Sequence, residues 1–172
     1  MDLKTLTQTI DNVIRGVGNA LSWLGLVLVL IVCTSVFLRY VWGVSNLGFD
    51  ELQWHIYSLC WLAGLSYATV EGTHVRNDIL YNRFSRIWRL RIDFWGHLLL
   101  VVPFVAVALY HAWDFVSWAW KQNEGSIDPG GLPARWIIKS ALLLGLGLFA
   151  AAAISRSIAL AVDIRNLKKA RP

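Results

Sequence analysis

The sequence predicts an all-α integral membrane protein, a single membrane domain over 1–172 with four transmembrane helices, amphipathic interfacial helices and both termini cytoplasmic. Three observations carry this reading. Four apolar stretches, 21–42, 52–70, 92–112 and 136–162, each have the ~17–25 residues a helix needs to cross a ~30 Å hydrocarbon core. Nine of the ten tryptophans cluster at the ends of these stretches, where indole rings anchor among headgroups; Trp61 alone falls well inside one. The cations fall mainly on one side. Lys4 and Arg15 precede the first stretch, Arg76, Arg83, Arg86, Arg89 and Arg91 lie between the second and third, and Arg156, Arg165, Lys168, Lys169 and Arg171 close the chain. Arg39, Lys121, Arg135 and Lys139 lie on the other side, so the positive-inside rule puts both ends of the chain in the cytoplasm.

A net charge of +5 would point a soluble protein toward nucleic acid. Here the cations flank apolar helices, which points to anionic headgroups and no nucleic-acid partner.

At the N-terminus, Leu3, Leu6, Ile10, Val13, Ile14 and Val17 recur at three- and four-residue steps, predicting an amphipathic helix over 1–18 on the inner leaflet. A secretory signal is not expected, because Asp2 and Asp11 replace the basic start and no small-residue exit follows the apolar core. The loop after the first stretch is short and leads into Asp50 and Glu51, where carboxylates favour the positive end of a helix dipole. Arg39 lies one turn inside the first stretch and needs a partner at that depth. An ion pair with Glu51, or with Asp50, is the expected solution. Between the second and third stretches, Leu80, Phe84, Ile87 and Trp88 share a face among arginines, predicting an interfacial cytoplasmic helix over 77–90.

Pro103 is expected to kink the third span. Residues 113–135 form the outer loop, helical in pattern through Trp120 and broken at Pro129, Gly130 and Gly131. Pro133 suits the first turn of the fourth helix. Along that helix Gly147, Ala151, Ser155 and Ala159 repeat every four residues, a smooth stripe that lets another helix approach, from this chain or a partner. Cys33 and Cys60 read as structural thiols inside spans.

Carriage by this chain alone is disfavoured, because the middle thirds of all four stretches lack Asp, Glu, Lys and Arg. A haem-binding anchor is the competing class, with His55 and His111 as conceivable axial ligands at matching depth. No nucleophile–base arrangement, phosphate loop or zinc spacing appears, so neither an enzyme nor a cofactor or metal centre is expected.

Arg39-Tyr40 closing the first span, Asp50-Glu51-Leu52 opening the second, and Gly72-Thr73-His74-Val75-Arg76-Asn77-Asp78 after it form an ordered set. With Glu124-Gly125-Ser126, Gly131-Leu132-Pro133-Ala134-Arg135-Trp136 and Lys139, the chain resembles the small membrane subunit, DctQ type, of TRAP (tripartite ATP-independent periplasmic) transporters over roughly 15–165. Thr73 and Asn77 depart from the family pattern.

The resemblance implies a bacterial inner-membrane protein in sodium-coupled uptake of an organic acid. Its partners would be a large multi-span elevator-type subunit holding the substrate and sodium sites, a periplasmic solute-binding protein, and membrane lipids. This chain would be the scaffold, without catalytic or substrate-binding residues of its own. His74, Arg76, Asp78, Trp88, Arg135, Trp136, Lys139, Gly147, Ala151, Ser155 and Ala159 would face the partner or lipid. Gln122, Asn123, Glu124 and Asp128 would lie where the binding protein docks, on the exposed outer loop.

Overall fold

A computed structural model describes residues 3–74 and 81–169. All regular structure among them is helical. α1 spans Leu3–Val41 and α2 spans Leu47–Glu71. α3, Arg86–Gly96, continues through a π-helical turn, His97–Val101, into α4, Val102–Lys121. α5 spans Trp136–Lys169. These make four rods, and three of them, Lys4–Val41, Arg86–Lys121 and Trp136–Lys169, are long and apolar enough to cross a membrane.

α5 is the central rod. α1 and α2 pair and both pack on it, while α3 and α4 lean on α5 rather than on α1 or α2. The first residues of α1, the last turns of α2 and the C-terminal half of α5 share one end of the molecule, the terminal end. The start of α2 and the segment after α4 share the other, the loop end.

Several elements differ from the sequence expectation. Residues 1–18 do not form a separate surface helix, since α1 runs unbroken from Leu3. No proline interrupts it, and its early turns are already engaged: Ile14 is 2% exposed against Val70 and Ala152. The Ser155 hydroxyl donates 2.8 Å to Asp11 Oδ1. An apolar face that packs on protein is not left for the membrane surface. The helix expected over 77–90 is interrupted in its described part. Residues 82–85 turn, and Arg86 onward belongs to α3, while 77–80 lie outside the described residues.

Pro103 acts through hydrogen-bond register. It has no N–H for the carbonyl four residues back, and its ring crowds that carbonyl. The preceding residues take up the strain as a π turn, with the Val102 N–H donating to His97 O five residues back. Pro133 does not open α5. Ala134 adopts a left-handed φ of 57°, so the helix starts only at Trp136. α2 ends on Gly72 at φ 66°, a left-handed cap that glycine adopts without steric cost, and the Thr73 N–H closes back on Ala68 O at 3.1 Å.

The seam between α2 and α5 is set by Gly145. A Cβ there would lie 2.6 Å from Leu62 Cβ, so only glycine permits this approach. Ala152, fully buried with Val70 and Ile14, extends the seam, and Ala153 and Phe149 on the same helix are buried as well. The anticipated stripe starting at Gly147 is divided. Ala151 packs against the Ile14–Val70–Ala152 cluster and Ser155 is 1% exposed against α1. Ala159 is half-buried, and Gly147 faces open space.

Candidate functional site

The loop end is organised around two adjacent carboxylates. Asn46 caps α2, its side chain accepting from the Phe49 N–H, and this places Asp50 and Glu51 on the first turns. Adjacent residues on a helix point about 100° apart, so the two carboxylates serve different neighbours. Asp50 turns to α1. The Arg39 guanidinium donates at 3.2 Å and the Ser35 hydroxyl at 3.1 Å, with Gln53 from its own helix at 3.4 Å. Arg39 therefore pairs with Asp50 and not Glu51, which corrects the preferred pairing and follows from the two residues' angular separation.

Glu51 turns to the loop after α4. It accepts the Ser126 hydroxyl on one oxygen and the Leu132 N–H, at 2.5 Å, on the other. These two donors hold its carboxyl below the usual carboxylate range, the Ser126 hydroxyl contributing most. The loop also closes on itself. Ser126 N–H donates to Leu132 O at 3.1 Å, and Arg135 N–H donates to Glu124 O at 2.7 Å. The Glu124 carboxylate takes the Lys139 ammonium, which sits 4.0 Å from the centre of the Phe115 ring. Trp120 and Trp136 meet edge to face at 4.3 Å, joining the helix ends on either side.

The residues singled out from sequence thus fall into separate groups. Glu124, Trp136 and Lys139 are engaged inside the loop structure, and Arg135 is half-buried beside it. Gln122, Asn123 and Asp128 are exposed on its surface, Asn123 with a left-handed φ of 44°. At the terminal end, His74 Nε2 lies 2.8 Å from the Thr69 hydroxyl, and Trp88 is exposed with Arg91 5.2 Å from its ring centre. Arg76 and Asp78 lie outside the described residues. His55 and His111 stand on α2 and α4, rods that pack on α5 rather than on each other.

Sequence reasoning missed Ser126 and the Leu132 amide as partners of Glu51, and Lys139 as the partner of Glu124. Nothing in a 75- or 81-residue separation signals such contacts. It also missed Arg15–Glu71 at 2.6 Å, Ser155–Asp11, and the Tyr81 hydroxyl donating 2.7 Å to Asp93. Arg15 and Glu71 could have been found as the first charges flanking two neighbouring apolar stretches.

These two flanking pairs bracket a chemically uniform zone. Between Arg15 and Arg39 on α1, and between Glu51 and Glu71 on α2, there is no Asp, Glu, Lys or Arg. Against this geometry, the family model for the DctQ component of tripartite ATP-independent periplasmic transporters matches residues 28–163. The chain belongs to the DctQ family. No curated protein matches it. As a DctQ component it is a membrane-integral part of a transport system and not an enzyme, and the matched region runs from the later turns of α1 through α2, α3 and α4 into most of α5.

Proposed function

We propose that this DctQ chain is the static small permease subunit of a TRAP transporter in a bacterial inner membrane, supporting a large elevator-type subunit. That partner carries the solute and sodium sites, and a periplasmic solute-binding protein delivers an organic acid to it. Four rods cross the bilayer, with the terminal end cytoplasmic and the loop end periplasmic.

The observation that carries the reading is the pair of ion pairs at the two ends of α1 and α2. Arg39–Asp50 and Arg15–Glu71 lie 24 residues apart on α1 and 21 on α2. At ~1.5 Å per residue that is ~32–36 Å, the thickness of a hydrocarbon core plus its edge. Between them the helices offer aliphatic and aromatic side chains and small residues. α2 is not among the three rods long and apolar enough to span by themselves, yet α1 and α5 cover it over most of its length, so it exposes less to lipid than its length suggests. A zone without Asp, Glu, Lys or Arg gives an ion or organic anion little to replace its hydration shell, so the transport path belongs to another chain. Such a bundle suits the fixed side of a moving machine, with tryptophans on its flanks resisting tilt. The periplasmic surface of the outer loop, at Gln122, Asn123 and Asp128, is the face toward the binding protein.

Reconstitution tests this directly. The DctQ chain alone in sealed vesicles should give no solute uptake under an imposed sodium gradient, and uptake should appear when the large subunit and binding protein are added. Uptake by the chain alone would end the scaffold reading. Substitution of Gln122, Asn123 and Asp128 by alanine should leave assembly with the large subunit intact and reduce binding-protein-dependent uptake; unchanged uptake removes the docking role.

A further inference from the structure

We infer that the cavity at the terminal end, between the last turn of α2, the α3–π turn and α5, binds the phosphate of a membrane phospholipid through Arg156. The cavity holds about 570 Å³ and is lined by Thr69, His74, Asp93, His97, Phe149 and Arg156, among others. That volume suits a phosphate with its glycerol and leaves room for the first carbons of a chain.

Arg156 is half-buried, and among the described residues no carboxylate pairs with it and no hydrogen bond engages it. Three other cations are each closed on a carboxylate: Arg15 on Glu71, Arg39 on Asp50, Lys139 on Glu124. A guanidinium lining a cavity without such a partner offers a planar fork of donors suited to phosphate oxygens. Asp93, the acidic group in the lining, accepts the Tyr81 hydroxyl at 2.7 Å. The His74 ring, held to Thr69 at 2.8 Å, stands on the opposite wall.

Depth identifies the source of the phosphate. Arg156 lies 20 residues along α5 from Trp136, or ~30 Å, one hydrocarbon thickness from the opposite headgroup layer. Headgroup phosphates occupy that level. Ile92, Leu100 and Phe149 supply an apolar wall, and Leu100 is 71% exposed on the lipid side, giving an acyl chain a way out of the cavity. A second hollow, between the first turns of α3 and the last turn of α5, carries Arg86, Arg91 and Lys168, positive charge at the same end that favours a lipid with net negative charge. The π turn forced by Pro103 forms part of the cavity wall, which gives that irregularity a consequence beyond the helix.

The test is native mass spectrometry of the full chain, delipidated in mild detergent and titrated with phosphatidylglycerol, phosphatidylcholine or inorganic phosphate. One phosphatidylglycerol should bind saturably per chain, more tightly than phosphatidylcholine. Arg156→Gln should weaken it about tenfold or more, the loss of a charge-assisted contact, and Arg156→Lys should retain part of the affinity. Gly96→Leu is the second variant. An added Cβ at Gly96 meets nothing within 4 Å, so the side chain enters the cavity without breaking a contact, and it should block binding in a folded protein. Equal lipid binding by wild type, Arg156→Gln and Gly96→Leu overturns the proposal. So does displacement of the lipid by inorganic phosphate at comparable concentration, since the ligand would then be a free anion.

Discussion

The outer loop and the α2–α5 seam are held by opposite means. The loop is fastened by charge and hydrogen bonds: Glu51 on Ser126 and Leu132, and Lys139 on Glu124. The seam has almost no charge and is fastened by absence of bulk, with Gly145 against Leu62 and buried Ala152 and Ala153 following. The difference follows from solvent. In lipid, apolar side chains gain little by leaving one apolar surface for another, so close approach and dispersion decide packing. At the water-facing end a loop can be ordered by hydrogen bonds to a carboxylate, at the expense of sensitivity to pH and to single substitutions.

That contrast can be broken from either side. The largest effect is expected from Gly145→Val, whose Cβ meets the root of the Leu62 side chain and not a flexible tip. Overpacking of this kind costs ~1–3 kcal/mol, read as a lower thermal midpoint in detergent. Gly147→Val, two residues on and facing open space, should leave the midpoint unchanged. If both variants behave alike, the seam is not where α5 is held.

A smaller, local effect is expected from Glu51→Gln. The global midpoint should move little, while the Leu132 amide exchanges at least ~tenfold faster, because its acceptor loses its charge. Hydrogen exchange that stays slow across 124–135 would show that the loop orders itself without α2.

Acidification should sharpen the same distinction. The Glu51 carboxyl is depressed in the folded protein, so its contribution is present above the ordinary carboxylate pKa and is lost as pH falls through the lowered value. Protection of the loop should therefore decay below the usual carboxylate range, while the Gly145 seam, which has no titratable group, keeps its protection. Simultaneous loss at both would contradict separate fastening.

The smallest effect belongs to Arg39→Ala. The Arg39 side chain is 53% exposed, and exposed pairs contribute ~0–1 kcal/mol, so the midpoint should shift by no more than that. Asp50 keeps Ser35 and Gln53 as donors in this variant. A shift comparable with that of Gly145→Val would mean that the hairpin of α1 and α2 depends on the pair.

Much of the helical layout was legible from residue order. Apolar runs of membrane length predict where rods lie, and Trp120 marked the extension of the third rod that the structure carries to Lys121. Boundaries were less legible where packing overrode pattern. Residues 1–18 carry the periodicity of a surface helix, and the same periodicity serves equally to pack Ile14 on Val70 and Ala152. The small-residue ladder from Gly147 has the correct spacing, but the glycine in close contact is Gly145, two residues away and pointing in a different direction. Spacing defines a face of a helix without saying which face a neighbour uses.

The order of residues by itself determined that the chain is helical, that its long apolar stretches suit a bilayer, and that their centres hold no Asp, Glu, Lys or Arg. Those are properties of composition and local period, and each residue carries its share regardless of partners. Only the tertiary structure decided that α5 is the central rod, that Glu51 holds the loop while Asp50 holds α1, and that Arg156 lines a cavity with no carboxylate paired to it among the described residues. These depend on the rotation of each rod about its own axis, which is set by contacts between residues far apart in sequence.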